Sequence, residues 1–500
     1  MKNSNIIAYL ILGALLVLQA CTKDFEKINT PPTSLSTMDP GLILAKAQKD
    51  ASFSEGYEYP NNQYGSWVQQ WAGGVLISSS RYIQQTDDNV WSDHYSLIRN
   101  ISQIRNQILK GRETDPKART KIAIARIVEI SIWQRLTDTF GDIPFSESAL
   151  GVEAIVNQPK FDKQELIYQT LISDLDAAIA QINATDDSYG NADYYFKGNT
   201  VLWKKYAYSL KLRLGMRIRY ANPTLAQKTV TEAMGQTLMT SNTDNAAVAT
   251  FNDATNSDVH PVLNHWLAGS PDLKYLANTF VDQLVNTNDP RLPRLVQPTV
   301  NSVKAGKPAY KGIGVALTDA LLKTIIKDDY STASQLTFFN KTYSPAIPCL
   351  AMSCSDVCFY KAEAALEGWG STADQAELFY QDGVKAALAQ NPYLITTVPA
   401  NFAAELSFTG LTKEQKLEKI GTQKWIQLFG RSFEAFIEWR RMGYPKLTAG
   451  PNLGSTNGTI PRRAVYSSRE ALLNTVSYND AVSRYTSGDS YTSKVWWDKR

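Results

Sequence analysis

Three histidines, His94, His260 and His265, and four cysteines are the residues best suited to metal or nucleophilic chemistry. Their spacing argues against it. His260 and His265 stand five residues apart beside Pro261, not the four that put two ligands on one helix face. Neither an H-E-x-x-H nor a G-x-S-x-G segment occurs. Cys354 and Cys358 are one helical turn apart, but no histidine lies near enough in sequence to complete a tetrahedral set. With Cys21 set aside, Cys349, Cys354 and Cys358 are an odd number, which excludes a fully paired disulfide framework and makes apolar packing the expectation. Glycoside hydrolysis needs two carboxyl groups flanking a bond, and Asp87-Asp88, Asp186-Asp187 and Asp328-Asp329 offer adjacent acids. Such pairs in loops are more often solvated surface groups.

Cys21 carries the clearest chemical assignment. Lys2, the apolar run Ile6 to Leu18 and then Leu18-Gln19-Ala20 precede it, the pattern of an export signal over residues 1–20. The run is short for a bilayer crossing. A peptidase that cuts before Cys21 leaves a thiol and an amine to carry acyl chains, and two or more chains anchor stably. The competing reading is an ordinary secretory signal with Cys21 incidental. Residues 21–38, polar and holding Pro31-Pro32, read as a lipidated flexible tether.

Binding rather than catalysis is suggested by the aromatics. Tyr64, Trp67, Trp71, Tyr82, Trp91 and Tyr95 fall in one early stretch, with Trp266, Tyr275 and Tyr310 in later loop-like sequence. Flat rings stack on sugar C–H faces while Asn, Asp and Arg bind hydroxyls. Arg81, Tyr82, Trp91, Asn100, Trp266, Tyr275 and Tyr310 are therefore the candidate ligand contacts. Core packing competes for each ring, most strongly for Trp67 and Trp71 at helical spacing. Lys204, Lys205, Lys211, Arg213, Arg217 and Arg219 share one segment without an acid, which could form a polyanion face. They are spread around the helix, however, and an apolar stripe between them predicts pairing with acids on neighbouring helices.

The elements that must position these groups are helical. Ile122 to Leu136 is apolar on nearly every face and predicts a central helix. Asp162 and Glu165 read as a capping box, with Phe161 stapled on Leu166, opening its antiparallel partner with the stripe Ile167, Leu171, Leu175, Ala178, Ile179, Ile182. Further pairs are predicted at Val201 to Arg219 with Thr224 to Leu238, at Asp356 to Leu366 with Ala373 to Ala389, and at Lys413 to Phe429 with Phe433 to Arg441. Thr412 and Gln415 form a second capping box. The fold class is mainly α, with degenerate tetratricopeptide-like pairs. Residues 241–350 and 442–465 lack periodicity and read as long loops, where function concentrates. Hydrophobic residues make up 43% and charged residues 20%, formal net charge is +3, and no long linker occurs after residue 40, so residues 39–500 are expected to form one domain with no nucleic-acid partner.

Several segments taken together resemble the SusD/RagB-like family of Bacteroidetes outer-membrane nutrient-binding lipoproteins, in its second SusD-like subgroup. They are Thr137-Asp138-Thr139-Phe140-Gly141-Asp142-Ile143-Pro144-Phe145-Ser146-Glu147, Ala207-Tyr208-Ser209-Leu210-Lys211-Leu212-Arg213-Leu214, Asn288-Asp289-Pro290-Arg291-Leu292, Lys361-Ala362-Glu363-Ala364, Gln423-Lys424-Trp425, Trp439-Arg440-Arg441-Met442-Gly443-Tyr444-Pro445, Ile460-Pro461-Arg462-Arg463 and Trp496-Trp497-Asp498. The resemblance covers nearly the whole chain. It implies four tetratricopeptide-like pairs under a loop-rich ligand face, no catalysis, a glycan or peptide ligand, and a SusC-like TonB-dependent transporter as partner. Asp24 and Glu26 resemble a signal for the outer leaflet of the outer membrane. No cofactor is implied, and a loop-ordering calcium ion is left open. The shared motifs look structural, so no ligand residue transfers by motif.

Overall fold

A computed structural model describes residues 38–54, 58–72, 81–151, 154–251, 259–261, 275–333, 347–390 and 392–500. The predicted signal, Cys21, all of the tether before residue 38, His265 and Trp266 lie outside the described residues.

The described chain enters through α1 (Pro40–Phe53), where the Asp39 carboxylate accepts from Gly41 N at 2.8 Å and Pro40 occupies the first turn. It continues through α2 (Glu58–Trp67) and α3 (Asp88–Gln103) into the 22-residue α4 (Arg119–Phe140). Ile122, Ile124, Ile127, Val128, Ile130, Ile132, Trp133 and Leu136 are all buried, so α4 is the central helix that its sequence predicts. It packs antiparallel on α5 (Gln164–Gln181): Arg126 pairs with Asp174 near one end, while at the other Tyr168 Oη donates to Asp138 at 2.5 Å and Gln164 Nε2 donates to the Thr137 carbonyl at 2.7 Å.

The capping box predicted for α5 does not form. Ile143–Pro144 and Phe161–Asp162 pair as short antiparallel strands, which holds Asp162 extended and moves the helix start to Gln164. Asp162 accepts instead from Ser146 N at 2.7 Å, and the Asp142 carboxylate caps Gln164 N at 2.8 Å from across the turn. Phe161 packs on Trp91 and Tyr466, leaving Leu166 exposed. Gly141 permits this turn: its φ is +87°, and a Cβ there would stand 2.2 Å from the Tyr485 hydroxyl.

Helix α6 (Thr200–Arg217) buries Trp203, Tyr206, Ala207, Leu210 and Leu214, and α7 (Pro223–Met234) returns beside it. After α8 (Asn278–Asn286), the pair α9 (Cys354–Leu366) and α10 (Ala376–Ala389) follows. The last pair is α11 (Lys413–Gln427) and α12 (Ser432–Met442). Thr412 and Gln415 make the predicted reciprocal cap, and α12 ends on Gly443 at φ +70°. A nine-residue helix, α13 (Thr475–Ser483), lies near the C-terminal end. The long excursion between α7 and α9 closes onto the scaffold where Ala246–Val248 pairs antiparallel with Cys349–Met352.

Cys349, Cys354 and Cys358 are buried and free, with Cys354 and Cys358 sulfurs 3.9 Å apart. No group of His, Cys, Asp and Glu among the described residues could hold a metal ion, and none of the described helices is long and apolar enough to cross a membrane.

His94 on α3 is buried against Phe433, its Nδ1–H donating to the Val90 carbonyl at 2.8 Å. Burial, with Arg135 nearby, pushes its pKa down to about 3. The unfolded chain takes up this proton near pH 6.5 while the fold does not, so stability is full above that pH and falls as pH drops toward 3. Stability at pH 5 is expected to be about 2 kcal/mol lower from this group alone. Urea midpoints of the wild type and His94→Leu at the two pH values check it: the slope should flatten in the variant.

Candidate ligand face and the charge network beneath it

The cations of α6 do not form a polyanion face. Lys205 meets Asp244 at 3.1 Å, Lys211 meets Asp176 and Glu232 at 2.6 and 2.7 Å, and Arg219 meets Glu363 at 3.0 Å. Arg217 is wholly buried and bridges Asp138 of α4 with Glu434 and Glu438 of α12, at 3.2, 2.7 and 2.6 Å. The same Glu438 receives Arg441 and Lys424, both at 2.6 Å, and Arg441 forks onto Glu363 through two 2.7 Å bonds. Arg217, Arg219, Lys424 and Arg441 thus face Asp138, Glu363, Glu434 and Glu438, tying five helices together. Burial would raise the Glu438 carboxyl, but Arg441, Lys424 and Arg217 hold it well below the usual carboxylate range. For Asp138 burial prevails over Arg217 and lifts the pKa to about 6.

The remaining motifs close the same core. Arg440 lies 4.0 Å over Phe436 and 4.8 Å over Trp497, and donates to the carbonyls of Asp138 and Arg462. Trp497 Nε1 donates to Asp138 at 2.7 Å, Arg463 to the Phe140 carbonyl at 2.8 Å, and Arg291 to Asp289 and Gln423, both at 2.6 Å. These side chains are buried and bond one another or main-chain carbonyls, so they are structural. The adjacent acids are engaged as well. Asp87 is buried and accepts from Gln63 and Tyr64, Asp88 from Ser468, and Asp186 from Arg119; Asp328 meets Lys304, and Asp329 accepts from Asn301.

Above this core the excursion 275–333 meets the chain near residues 72, 82 and 450. Ala72 N donates to the Tyr275 carbonyl at 3.0 Å, Asn452 N to Ala316, and Ser455 N to Tyr82. Ala72, Tyr275 and Ile313 form a small apolar cluster with Leu317, Ile325 and Tyr330 against it. Two glycines make the approach possible: a Cβ on Gly450 would stand 2.0 Å from the Val315 oxygen, and one on Gly454 1.9 Å from that of Arg81. On this face Arg81 reaches Asp319 at 2.6 Å, the aspartate 79% exposed, and Lys311 lies 4.7 Å over the Tyr330 ring. Tyr310 stands half-buried beside them in sequence.

Only part of the predicted contact set fits a ligand platform. Trp91 is 5% exposed, held edge-on by Phe140 and Tyr466 and stacked by Phe161, so the expectation of a stacking surface is corrected to core packing. Tyr82 and Tyr275 are corrected likewise: both rings are buried, and what they contribute to the face is backbone hydrogen bonds. Asn100 is half-buried near the end of α3. Arg81 and Tyr310 keep accessible groups. Sequence reasoning missed Asp319, Lys311 and Tyr330; the signal available was the glycine spacing of 450–458, which marks a segment built for close approach.

A family model described as "SusD-like_2: Starch-binding associating with outer membrane" matches residues 32–467. The chain belongs to the SusD-like family. It is an outer-membrane-associated binding protein of that group. Among solved structures, a SusD-like fold similar to this one is that of a chitin-binding protein, 28% identical, with a TM-score of 0.79, covering 92% of this chain and 100% of the other. A Bacteroidetes SusD-like protein is 25% identical with a TM-score of 0.77, covering 93% and 100%. A SusD homologue from Bacteroides uniformis is 23% identical with a TM-score of 0.72, covering 92% and 99%. No curated protein sequence matches. The SusD-like motifs that suggested the family are the residues of the buried network, which explains why they specify the scaffold and not the ligand.

Proposed function

We propose that this chain is a cell-surface lipoprotein that captures an oligosaccharide on the 275–333 face and delivers it to a SusC-like TonB-dependent transporter. The observation that carries the reading is the end-to-end likeness, at 28% identity, to a chitin-binding protein. Support comes from the face itself: Arg81 and Asp319 offer donors and acceptors for hydroxyls, while Tyr310 and Tyr330 offer ring surface. The lipid on Cys21 keeps the protein at the membrane, and the tether raises its effective concentration against a membrane partner. A lid that must release its cargo works with modest affinity.

Calorimetry with chito-oligosaccharides and maltotriose tests the reading. At least one is expected to bind saturably, and Arg81→Ala and Tyr310→Ala are each expected to weaken it about tenfold, the loss of roughly 1.4 kcal/mol. Saturable binding unchanged by both variants would place the ligand elsewhere.

A further inference from the structure

Where the carboxyl ends of α10 and α11 meet the strand Cys349–Met352 there is a partly open cavity of about 40 Å³. It has room for about three water-sized groups, since one needs ~10–15 Å³. We infer that this cavity takes the acetamido group of an N-acetylated sugar. The inference rests on the reading above that the chain captures an oligosaccharide, shares no residue with the 275–333 face, and adds the class of sugar.

Two buried amides set the polarity of the cavity. Gln390, 8% exposed, directly follows α10, and Gln427, 2% exposed, is the last residue of α11. Both line the cavity, and the Oε1 atom of each is buried without a hydrogen-bond partner among the described residues. The Gln427 amide is held by its other end, Nε2 donating to Ser353 Oγ at 3.1 Å. A buried acceptor that lacks a donor is costly, so a ligand that brings donors relieves both. The carboxyl ends of two helices favour donors as well, because their last carbonyls carry partial negative charge.

The charges around the cavity exclude an ion. No Asp or Glu is among the described residues that line it. Arg431 lies on the wall, but its Nη1 donates to Asp356 at 2.8 Å and its Nη2 to the Ala351 carbonyl at 3.3 Å, so its charge is already paired. Burial pushes His260 down to about 4, which keeps that ring neutral at pH 7. A cation would stand beside a guanidinium with no carboxylate facing it, and an anion would compete with Asp356 for Arg431. A neutral donor is what fits.

The rest of the wall selects among neutral donors. Ile347, Pro348, Leu350, Pro392 and Tyr393 make it largely apolar. A plain sugar hydroxyl has nothing to set against such a wall. An acetamido group does: its methyl lies on the apolar side chains, its N–H donates to one amide oxygen, and the neighbouring ring hydroxyl donates to the other. The acetamido carbonyl then turns to the open side and to water, with the sugar ring at the mouth.

Calorimetry on the full-length protein in detergent, with triacetylchitotriose and cellotriose as the two probes, tests this, because they share their linkage and differ only in the acetamido groups. Triacetylchitotriose is expected to bind at least about tenfold more tightly. The preference should hold from ~0.1 M to ~1 M salt, since no ion pair is involved. Gln390→Met and Gln427→Met should each remove most of it with circular dichroism unchanged. Saturation-transfer NMR on the wild-type protein needs no variant and should show the strongest transfer at the acetyl methyl. Equal affinity for the two sugars, a preference that both variants keep, or weakest transfer at the methyl would overturn the inference and leave oligosaccharide capture standing. No saturable binding of either sugar or of maltotriose would overturn both. A preference lost in Arg81→Ala but kept in Gln390→Met would put the acetamido group on the 275–333 face and overturn the inference as well.

Discussion

Arg441→Met is expected to lower the stability of the folded chain by about 3–5 kcal/mol, the cost of breaking a buried ion pair from one side. Arg441 forks onto Glu363 and bonds Glu438, and all three side chains are sealed from solvent. Methionine fills much of the space but leaves Glu363 dependent on Arg219 and Lys424, and Glu438 on Lys424 and Arg217. Those carboxylates must then stay charged with fewer partners or take up a proton, and either route costs free energy. Denaturant midpoints at constant slope measure the effect. Arg112→Met, where the partner Asp115 is on the surface, serves as the contrast and should shift the midpoint far less. A shift for Arg441→Met as small as that of Arg112→Met would show that the network does not hold the scaffold together.

Cys21→Ala is expected to abolish outer-membrane attachment while leaving the body folded and able to bind. Without the thiol no diacylglycerol can be added, and a signal left uncut could hold the variant only in the inner membrane, not the outer one. Fractionation of outer membranes from cells lacking the proposed SusC-like partner gives the cleanest reading, because a protein held by a partner would otherwise still sediment with them. Wild type should then remain in the outer-membrane fraction and the variant should leave it. Retention of the variant in those cells would make the lipid assignment wrong.

The scaffold was legible because helices announce themselves locally. The stripe on α6 and the Thr412 to Gln415 cap are set by spacing alone, and both stand as predicted. The Asp162 box was misread because two longer-range events override it: a strand pairing with Ile143–Pro144 and a cap supplied by Asp142. Arg217 illustrates a milder limit. Its spacing on the helix excluded a single charged face and predicted acid partners, but nothing local says that those partners lie on α4 and α12. For the ligand face, side-chain type was a poor guide, since Trp91 and Tyr275 carry the same rings as a stacking platform and spend them on the core. Exposure is a tertiary property, and on the 275–333 face the partly accessible rings, Tyr310 and Tyr330, are not the ones that cluster in sequence.

Capture without cleavage is tested most directly by equilibrium dialysis followed by chromatography of the recovered sugar. A chito-oligosaccharide held by the protein should partition saturably to its side of the membrane and be recovered at its original length, with no new reducing ends. Shortened products that disappear when a single loop aspartate is neutralised, as in Asp319→Asn, would instead make the protein a hydrolase.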